Sequence, residues 1–435
     1  MPARLDSAQT DFAAAFDRVL ARPRAAQADV AEETARIVAD IRENGDRALL
    51  RYTARLDGFE AESVDALRVS AREIEAARAD CPPALMNALE AAEERISAYH
   101  ARQMPEPLSY VDPAGVRLGA RWTPLDAAGI YVPGGTAAYP SSVLMNAVPA
   151  RIAGVERIAM AVPTPGGDVA PLVLAAAAIA GVGEIWRIGG AQAVAALAWG
   201  TETIRPVDKI AGPGNAWVAE AKRQAFGKGG IDLIAGPSEI LVVADAGNDP
   251  AWIAADLLSQ AEHDTVAQAI LIADDARFAD AVVEAAEDHL ATLPRAEIAR
   301  ASWEDRGAVI VVGSLDEAPA LIDRIAPEHL ELAVEDPDGL AERVRHAGAI
   351  FLGRHTPEAI GDYVAGPNHV LPTAGTARFA SGLGVLDFMK RTSIVGCDEA
   401  AFSAIAPAAV SLARAEGLDA HALSLTIRTN APGED

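Results

Sequence analysis

Residues 239–273 read EILVVADAGNDPAWIAADLLSQAEHDTVAQAILIA. Two short apolar runs, EILVVA and QAILIA, flank a segment that opens on Asp249 and Pro250 and then carries apolar residues three and four apart. A short, nearly continuous apolar run suits a strand buried on both faces, and an N-cap residue followed by proline is a helix start. The stretch is therefore a β-α-β unit, whose crossover is right-handed and whose strands are parallel. The same alternation continues downstream through VVEAAEDHL, GAVIVV, LDEAPALIDRIA, ELAV and AIFLG. Upstream, beyond GIYVPGG, short β runs near 158–162, 185–188 and 209–211 alternate with alanine-rich helical segments. Residues 11–102 carry helical periodicity, 116–122 is β-flavoured, and the chain from about 382 onward reads as a helical tail that must dock on something. The expected fold is α/β: two open, mostly parallel, incompletely Rossmann-like lobes, with N-terminal helices and a helical C-terminal tail. Expected boundaries are a helical arm at 1–26, one α/β lobe from 27–129 with 236–381, a second from 130–235, and the tail at 382–435.

The chain has 435 residues, 51% of them hydrophobic, which is enough for more than one core, since single cores stop growing near about 250–300 residues. A formal net charge of −25 without any basic block disfavours nucleic acid and anionic lipid as partners and favours small-molecule chemistry. No charged segment leading into an apolar one opens the chain, and the apolar stretches are short and broken by glycine or charge. A soluble, cytoplasmic protein is expected, with no membrane and no nucleic-acid partner. Cys81 and Cys397 are too few for a disulfide framework and are expected to be reduced and structural.

Four strings carry candidate chemistry. In SQAEHD (259–264), Gln260 and His263 stand three apart, on one face of a helix, and a carbonyl oxygen beside an imidazole suits a borderline cation such as zinc. In PEHLE (327–331), Glu328 and His329 sit where a helix gives way to a strand, a junction at which one residue can activate water and the other relay protons. In TPEAIGDYVAGPNHVLPT (356–373), a stiff loop presents Asp362, Tyr363, Asn368 and His369 among glycines and prolines. In AEGLDAH (415–421), Glu416 and His421 lie in the tail and matter only if the tail enters another subunit's site. Each string alone also has a bland reading as surface residues, a histidine on a helix carbonyl end, or a turn capped by Asp362.

A full GxGxxG fingerprint is missing. AGPGNAWVAEAKR (211–223) keeps Gly212 and Gly214 before a helix but places Trp217 where the third glycine belongs, so a standard dinucleotide fold is not expected. The pairs Gly134/Gly135 and Gly189/Gly190 fall between expected strands and helices, where free backbone amides can meet phosphate.

Taken together, YVPGG, PSSVLMNAVPA, GGAQAVAALAWGTETI, KIAGPGNAWV, AGPSEILVVAD, DLLSQAEHD, PEHLE, GDYVAGPNHVLPT and EGLDAH resemble the histidinol dehydrogenase family, in family order and over almost the whole chain. The resemblance implies NAD-dependent four-electron oxidation of L-histidinol to L-histidine by way of the aldehyde, the last steps of histidine biosynthesis, with one Zn2+ per subunit. It implies zinc ligands at Gln260, His263, Asp362 and His421, the last supplied across a homodimer through the exchanged tail. Glu328 and His329 are implied as the acid/base pair, and Ser238, Gln260, His263, His329, Asp362, His369, Glu416 and His421 as surrounding histidinol. Tyr131, Gln192 and Asn215 match the family's NAD contacts, which makes 130–235 the NAD lobe and 27–129 with 236–381 the zinc and catalytic lobe.

Neither cysteine lies in a candidate motif, so water is expected to attack the aldehyde, with Glu328 as its base and His329 taking the alcohol proton. Gln260 beside His and Asp is a harder donor set than a Cys-rich one, which favours a metal that positions substrate over one that activates an alkoxide. Three rivals stand beside this reading: a related zinc/NAD dehydrogenase acting on another polar alcohol, a zinc hydrolase, and a non-catalytic metal-binding scaffold. Glu416 and His421, expected to read the histidinol amine and imidazole, argue against the first. The hydrolase leaves the glycine loops unused, and the scaffold leaves Glu328 and His329 unexplained.

Overall fold

The computed structural model describes residues 1–25, 30–134 and 138–428, apart from the side chains of 22–25. Gly135 and the expected boundary at 26/27 lie outside the described residues. In chain order the strands are β1 (Ala3–Asp6), β2 (Leu108–Val111), β3 (Arg117–Pro124), β4 (Ala127–Tyr131), β5 (Arg157–Ala161), β6 (Glu184–Trp186), β7 (Lys209–Ala211), β8 (Gly230–Ile231), β9 (Glu239–Ala244), β10 (Gln268–Ala273), β11 (Ala308–Val311), β12 (His329–Ala333), β13 (Ala349–Leu352) and β14 (Met389–Gly396). They form a six-stranded sheet ordered β1-β11-β10-β9-β12-β13, a five-stranded sheet ordered β6-β5-β4-β7-β8, and a three-stranded sheet ordered β14-β3-β2.

The stretch at 239–273 folds as its pattern requires. β9 and β10 pair in parallel with Glu239 opposite Gln268, and every residue of both is buried. Asp249 caps the connecting helix Pro250–Ala261 by accepting from the Ala251 amide at 2.9 Å. Strand side chains alternate between two cores: Ile240, Val242 and Leu271 pack with Ile253, Leu257 and Leu258 of that helix, while Leu241, Val243, Ile270 and Ile272 pack with Phe16, Leu330 and Leu332 on the other face. Burial on both faces is why these strands read as continuous apolar runs rather than as alternation.

The five-stranded sheet is also wholly parallel. Its strand order reverses at β4, with β5 on one side and β7 on the other, which opens a crevice beyond the carboxyl ends of those strands. The loop after β7 is held tightly there. Gly212 has φ of +110°, and a Cβ on it would stand 2.1 Å from the Tyr131 carbonyl oxygen. A buried ion pair between Lys222 and Asp232 grips the same residue from both sides: Lys222 Nζ donates to Gly212 O at 2.9 Å, and Gly212 N donates to Asp232 Oδ2 at 2.8 Å.

In two segments a strand stands where helix is expected. Residues 3–6, expected within a helical arm, form β1 and extend the six-stranded sheet alongside β11, with Leu5 buried. A four-residue run is too short for periodicity to reveal, and its partner lies some 300 residues away in sequence. Residues 389–396, expected as part of a helical tail, form β14, which pairs antiparallel with β3 over its whole length. Residues 104–124 and 389–428 consequently make a compact unit of their own, which also holds the helices Glu399–Ala415 and Asp419–Thr426, whereas 382–388 stays with the larger unit formed by the described residues up to 103 and from 125 to 388. Among the described residues no helix is long and apolar enough to cross a membrane. Cys81 is buried, Cys397 is exposed, and both thiols are free.

Candidate active site

Within the larger unit, the expected acid/base residues, Glu328 and His329, lie at the amino end of β12, beside the amino end of its neighbour β9. His329 is the first residue of β12 and Glu239 the first of β9, and the chain reaches His329 through Ala326, which adopts the left-handed conformation with φ of 50° at the end of the helix Ala318–Ile325. Glu239 holds both members of the pair. Its backbone N–H donates to Glu328 Oε2 at 2.8 Å, and its carbonyl lies 3.0 Å from His329 Nδ1. A carbonyl only accepts, so Nδ1 carries the hydrogen and the neutral ring leaves Nε2 as its basic atom. That Nε2 is buried without a hydrogen bond and stands 3.7 Å from Asp362 Oδ1. Glu328 Oε2 is 3.6 Å from His329 Nδ1.

Asp362 was expected in a loop. It lies instead on the short helix Glu358–Tyr363, and it organises His369, whose Nδ1 donates to the Asp362 carbonyl at 3.0 Å and whose Nε2 is 3.5 Å from Ser142 Oγ on the helix Pro140–Ala153. Gln260 occupies the last turn of the helix Pro250–Ala261, and His263 follows in the ensuing turn. Gln260 is 1% exposed, yet neither its amide oxygen nor its amide nitrogen has a partner. Such an orphaned amide is costly unless a ligand satisfies it. Ser238 directly precedes β9, and its carbonyl accepts from Gln268 N at 2.9 Å. A cavity of about 230 Å³ is lined by His329, Phe351, Thr356, Asp362, Asn368 and His369 among others.

Glu358, one helical turn before Asp362, was missed from the sequence. It is 2% exposed and accepts from Ser259 Oγ at 2.9 Å, and the ligating atoms of His329, Glu358 and Asp362 all lie within 4.8 Å of one another. This cluster shares only Asp362 with the implied zinc ligands. An acidic residue four before Asp362 in PEAIGD was a usable helical signal, obscured by reading the segment as loop. Glu239, which holds the pair through its backbone, carried no such signal.

The electrostatics are those of a crowded, desolvated site. Burial pushes Glu328 up to about 8 despite the opposing charge of His329. Burial alone would lower His329, but the charges of Glu328 and Asp362 outweigh it and lift the imidazole to about 10 in the metal-free protein; a cation held by Asp362 would offset that charge and lower both values. Asp362, although buried, is held down to about 2 by His329 and His369. Burial raises Glu239 and Glu358 to about 7, and burial together with the charge of Asp256 raises Glu331 to about 9. Burial lowers His263 and His369.

Metal-free protein should therefore lose thermal stability as pH rises from about 5 to 9. Glu239, Glu358, Glu328 and Glu331 bind protons more tightly folded than unfolded, so their contribution is fully present below the ordinary carboxyl value of 4.5 and is lost as pH climbs through about 7 to 9. Asp362 acts in the opposite sense, its contribution being lost as pH falls from 3.8 towards 2. Glu331→Gln should flatten the alkaline limb of Tm against pH measured in chelator. A Tm equal at pH 5 and pH 9 in the unsubstituted chain would contradict the assignment.

In the lobe of the five-stranded sheet, Tyr131 ends β4 and its hydroxyl accepts from Gly190 N at 3.0 Å. Gln192 is fully buried; its Nε2 donates to Asp57 Oδ2 at 3.2 Å while its Oε1 has no partner. Asn215 is exposed and caps the helix Ala216–Ala225 through Trp217 N and Val218 N. Of these three expected cofactor contacts, only Asn215 stands open to solvent, with Tyr131 and Gln192 beneath the surface. In the smaller unit, Glu416 closes the helix Glu399–Ala415, His421 lies on Asp419–Thr426, and both are exposed.

Buried acids and imidazoles with displaced proton affinities, gathered at a cavity in a body of two parallel sheets, mark an enzyme of the α/β class. The model of the family described as histidinol dehydrogenase matches residues 20–429. Histidinol dehydrogenase from Rhodospirillum rubrum is 65% identical over 431 residues, covering 99% of each chain, and the Gluconobacter oxydans protein of that name is 59% identical over 98% of this chain and 99% of its own. The crystal structure of histidinol dehydrogenase from Elizabethkingia anophelis superposes with a TM-score of 0.93 at 35% identity, covering 98% of both chains. The chain belongs to the histidinol dehydrogenase family and is an oxidoreductase.

Proposed function

We propose that the protein oxidises L-histidinol to L-histidine through L-histidinaldehyde in two NAD-dependent steps, the closing steps of histidine biosynthesis, as a cytoplasmic homodimer carrying one zinc ion per subunit. The observation that carries this reading is His329, whose Nδ1–H is committed to the Glu239 carbonyl and whose basic Nε2 is buried, unpaired and at the wall of a small-molecule cavity.

The donors suit zinc. Gln260 offers an unpartnered amide oxygen, Asp362 stays ionised, and His263 is kept neutral by burial, a mixed nitrogen and oxygen set appropriate to a borderline cation. These three would hold the ion, with His421 of the partner subunit as the fourth ligand. Bound zinc would supply a positive centre that takes the imidazole and amine nitrogens of the substrate and offsets the charge of Asp362. NAD, held near Tyr131, Gln192 and Asn215, would accept the two electrons of each step together with the carbon-bound hydrogen.

The chain's own groups handle the protons. His329 Nε2 takes the proton of the substrate hydroxyl, while Nδ1–H remains bonded to Glu239 O and stabilises the imidazolium that forms. Glu328, its carboxylate steadied by the Glu239 amide, takes a proton from the water that adds to the aldehyde. His329 then deprotonates the resulting gem-diol. Ser238, His369, Glu416 and the ligand set surround the substrate and orient it. Fixing the reacting carbon in this way can contribute up to roughly 7–11 kcal/mol.

The test is NADH formation from L-histidinol, followed by absorbance before and after chelation. Two NADH per histidinol, lost with chelator and restored by zinc, are expected. A single NADH per molecule would stop the reaction at the aldehyde, and turnover without NAD would make the protein a hydrolase.

A further inference from the structure

The three residues of this chain proposed to hold the ion stand on two elements far apart in sequence. Gln260 and His263 lie at the end of the helix Pro250–Ala261 and in its following turn, and Asp362 sits on the helix Glu358–Tyr363. That second helix has only six residues. So short a helix has little stability of its own in water, and its place is set by what packs against it. One anchor is Gly361, which lies so close to Phe351 of β13 that a Cβ at 361 would run into the ring. The other is Glu358, the first residue of the helix, which is 2% exposed. Its Oε2 is 2.9 Å from the hydroxyl of Ser259, the chain neighbour of Gln260. The same hydroxyl is 2.7 Å from the Asp256 carbonyl, three residues back on its own helix, so polar groups hold it on two sides. Burying Glu358 with its carboxyl within 4.8 Å of that of Asp362 sets two acids together at a cost, and the bond it makes runs to the other ligand-bearing helix.

We propose that Glu358 is a positioning residue for the metal site: bonded to Ser259, it clasps the helix that carries Asp362 to the helix that carries Gln260, and so fixes the separation at which their donors share one ion. The inference rests on the zinc reading above. Without the clasp, Gly361 against Phe351 still seats the short helix on the sheet, but nothing ties its first turn to Gln260. The donors then have to be brought together by the ion itself, which weakens its binding. Partners that orient ligands in this way are worth about 10–100-fold in metal affinity. Glutamine at 358 keeps the clasp. A serine hydroxyl has one hydrogen and gives it to one acceptor at a time, and a glutamine amide, able to accept and to donate, fits whichever arrangement results.

The experiment measures zinc dissociation constants, by competition with a chromogenic chelator, for the full chain and for Ser259→Ala, Glu358→Ala, Glu358→Gln, the Ser259→Ala/Glu358→Ala double variant and Asp362→Asn. Visible absorption of the cobalt-substituted proteins follows the ligand geometry, and Tm in chelator records any loss of fold separately. Ser259→Ala and Glu358→Ala should each weaken zinc by about tenfold or more and alter the cobalt spectrum alike. The double variant should be no weaker than either, because both substitutions break one bond. Glu358→Gln should bind zinc within about threefold of the unsubstituted chain and keep its spectrum. Losses that add, or that appear in only one of the two alanine variants, would overturn the proposal. A lower Tm with zinc affinity unchanged would make the bond structural only and overturn it as well. If Glu358→Gln is as weak as Glu358→Ala, the carboxylate charge acts on the ion directly and the clasp is refuted. In each of these cases loss of zinc in Asp362→Asn leaves the zinc reading standing. If the unsubstituted protein binds no zinc, that reading fails and takes this one with it.

Discussion

His329→Asn should reduce kcat for histidinol oxidation by roughly 10²–10⁴-fold, the usual contribution of a positioned general base. Asparagine can still donate to the Glu239 carbonyl and so preserves the local contact, but it offers no basic nitrogen in place of Nε2. Both oxidations release a proton to that atom, so both should fall. Glu328→Gln should behave differently, because its proposed work is on the water that adds to the aldehyde. With L-histidinaldehyde as substrate its rate should drop steeply, while the first NADH from histidinol should form at a rate much closer to that of the unsubstituted protein. Glutamine fills the same volume, and its amide oxygen can still accept from Glu239 N, which separates loss of the base from loss of packing. Single-turnover measurement of the two NADH equivalents reads this difference, and equal loss in both would refute the division of roles.

Asp362→Asn should strip the chain of most of its zinc and of its activity together. The aspartate is the one strongly ionised acid in the site, and asparagine cannot supply that charge to a cation. Gln260→Ala should lower zinc content more mildly, because the orphaned amide is neutral. Metal analysis after dialysis gives the readout, and full zinc occupancy in Asp362→Asn would remove that residue from the ligand set. A companion test addresses the tail. If His421 serves the partner subunit, then His421→Ala and His329→Asn chains, each nearly inactive alone, should recover about one quarter of normal activity when unfolded together and refolded as mixed dimers. No recovery would mean that each chain completes its own site.

How much of this was legible from sequence depended on how local the signal was. The β9-helix-β10 unit could be read because its strands are buried on both faces and its helix start is marked by Asp249 and Pro250. β1 could not, since four residues acquire strand identity only by pairing with β11. Of the residues in the PEHLE and GDYVAGPNHV strings, the structure gathers His329, Asp362 and His369 at one cavity. Glu358 and the anchoring Glu239 were missed because their roles arise from what packs against them, a serine 99 residues away in one case and the pair on the neighbouring strand in the other.

By itself, the sequence determined most of the element types, the parallel α/β class and the family, because each of these follows from residues near one another along the chain. Only the tertiary structure decided which nitrogen of His329 is basic, that Asp362 rides on a helix beside Glu358, and that residues 104–124 join the tail in one unit. Those outcomes depend on strand register and on burial between segments far apart in sequence, and no local pattern encodes either.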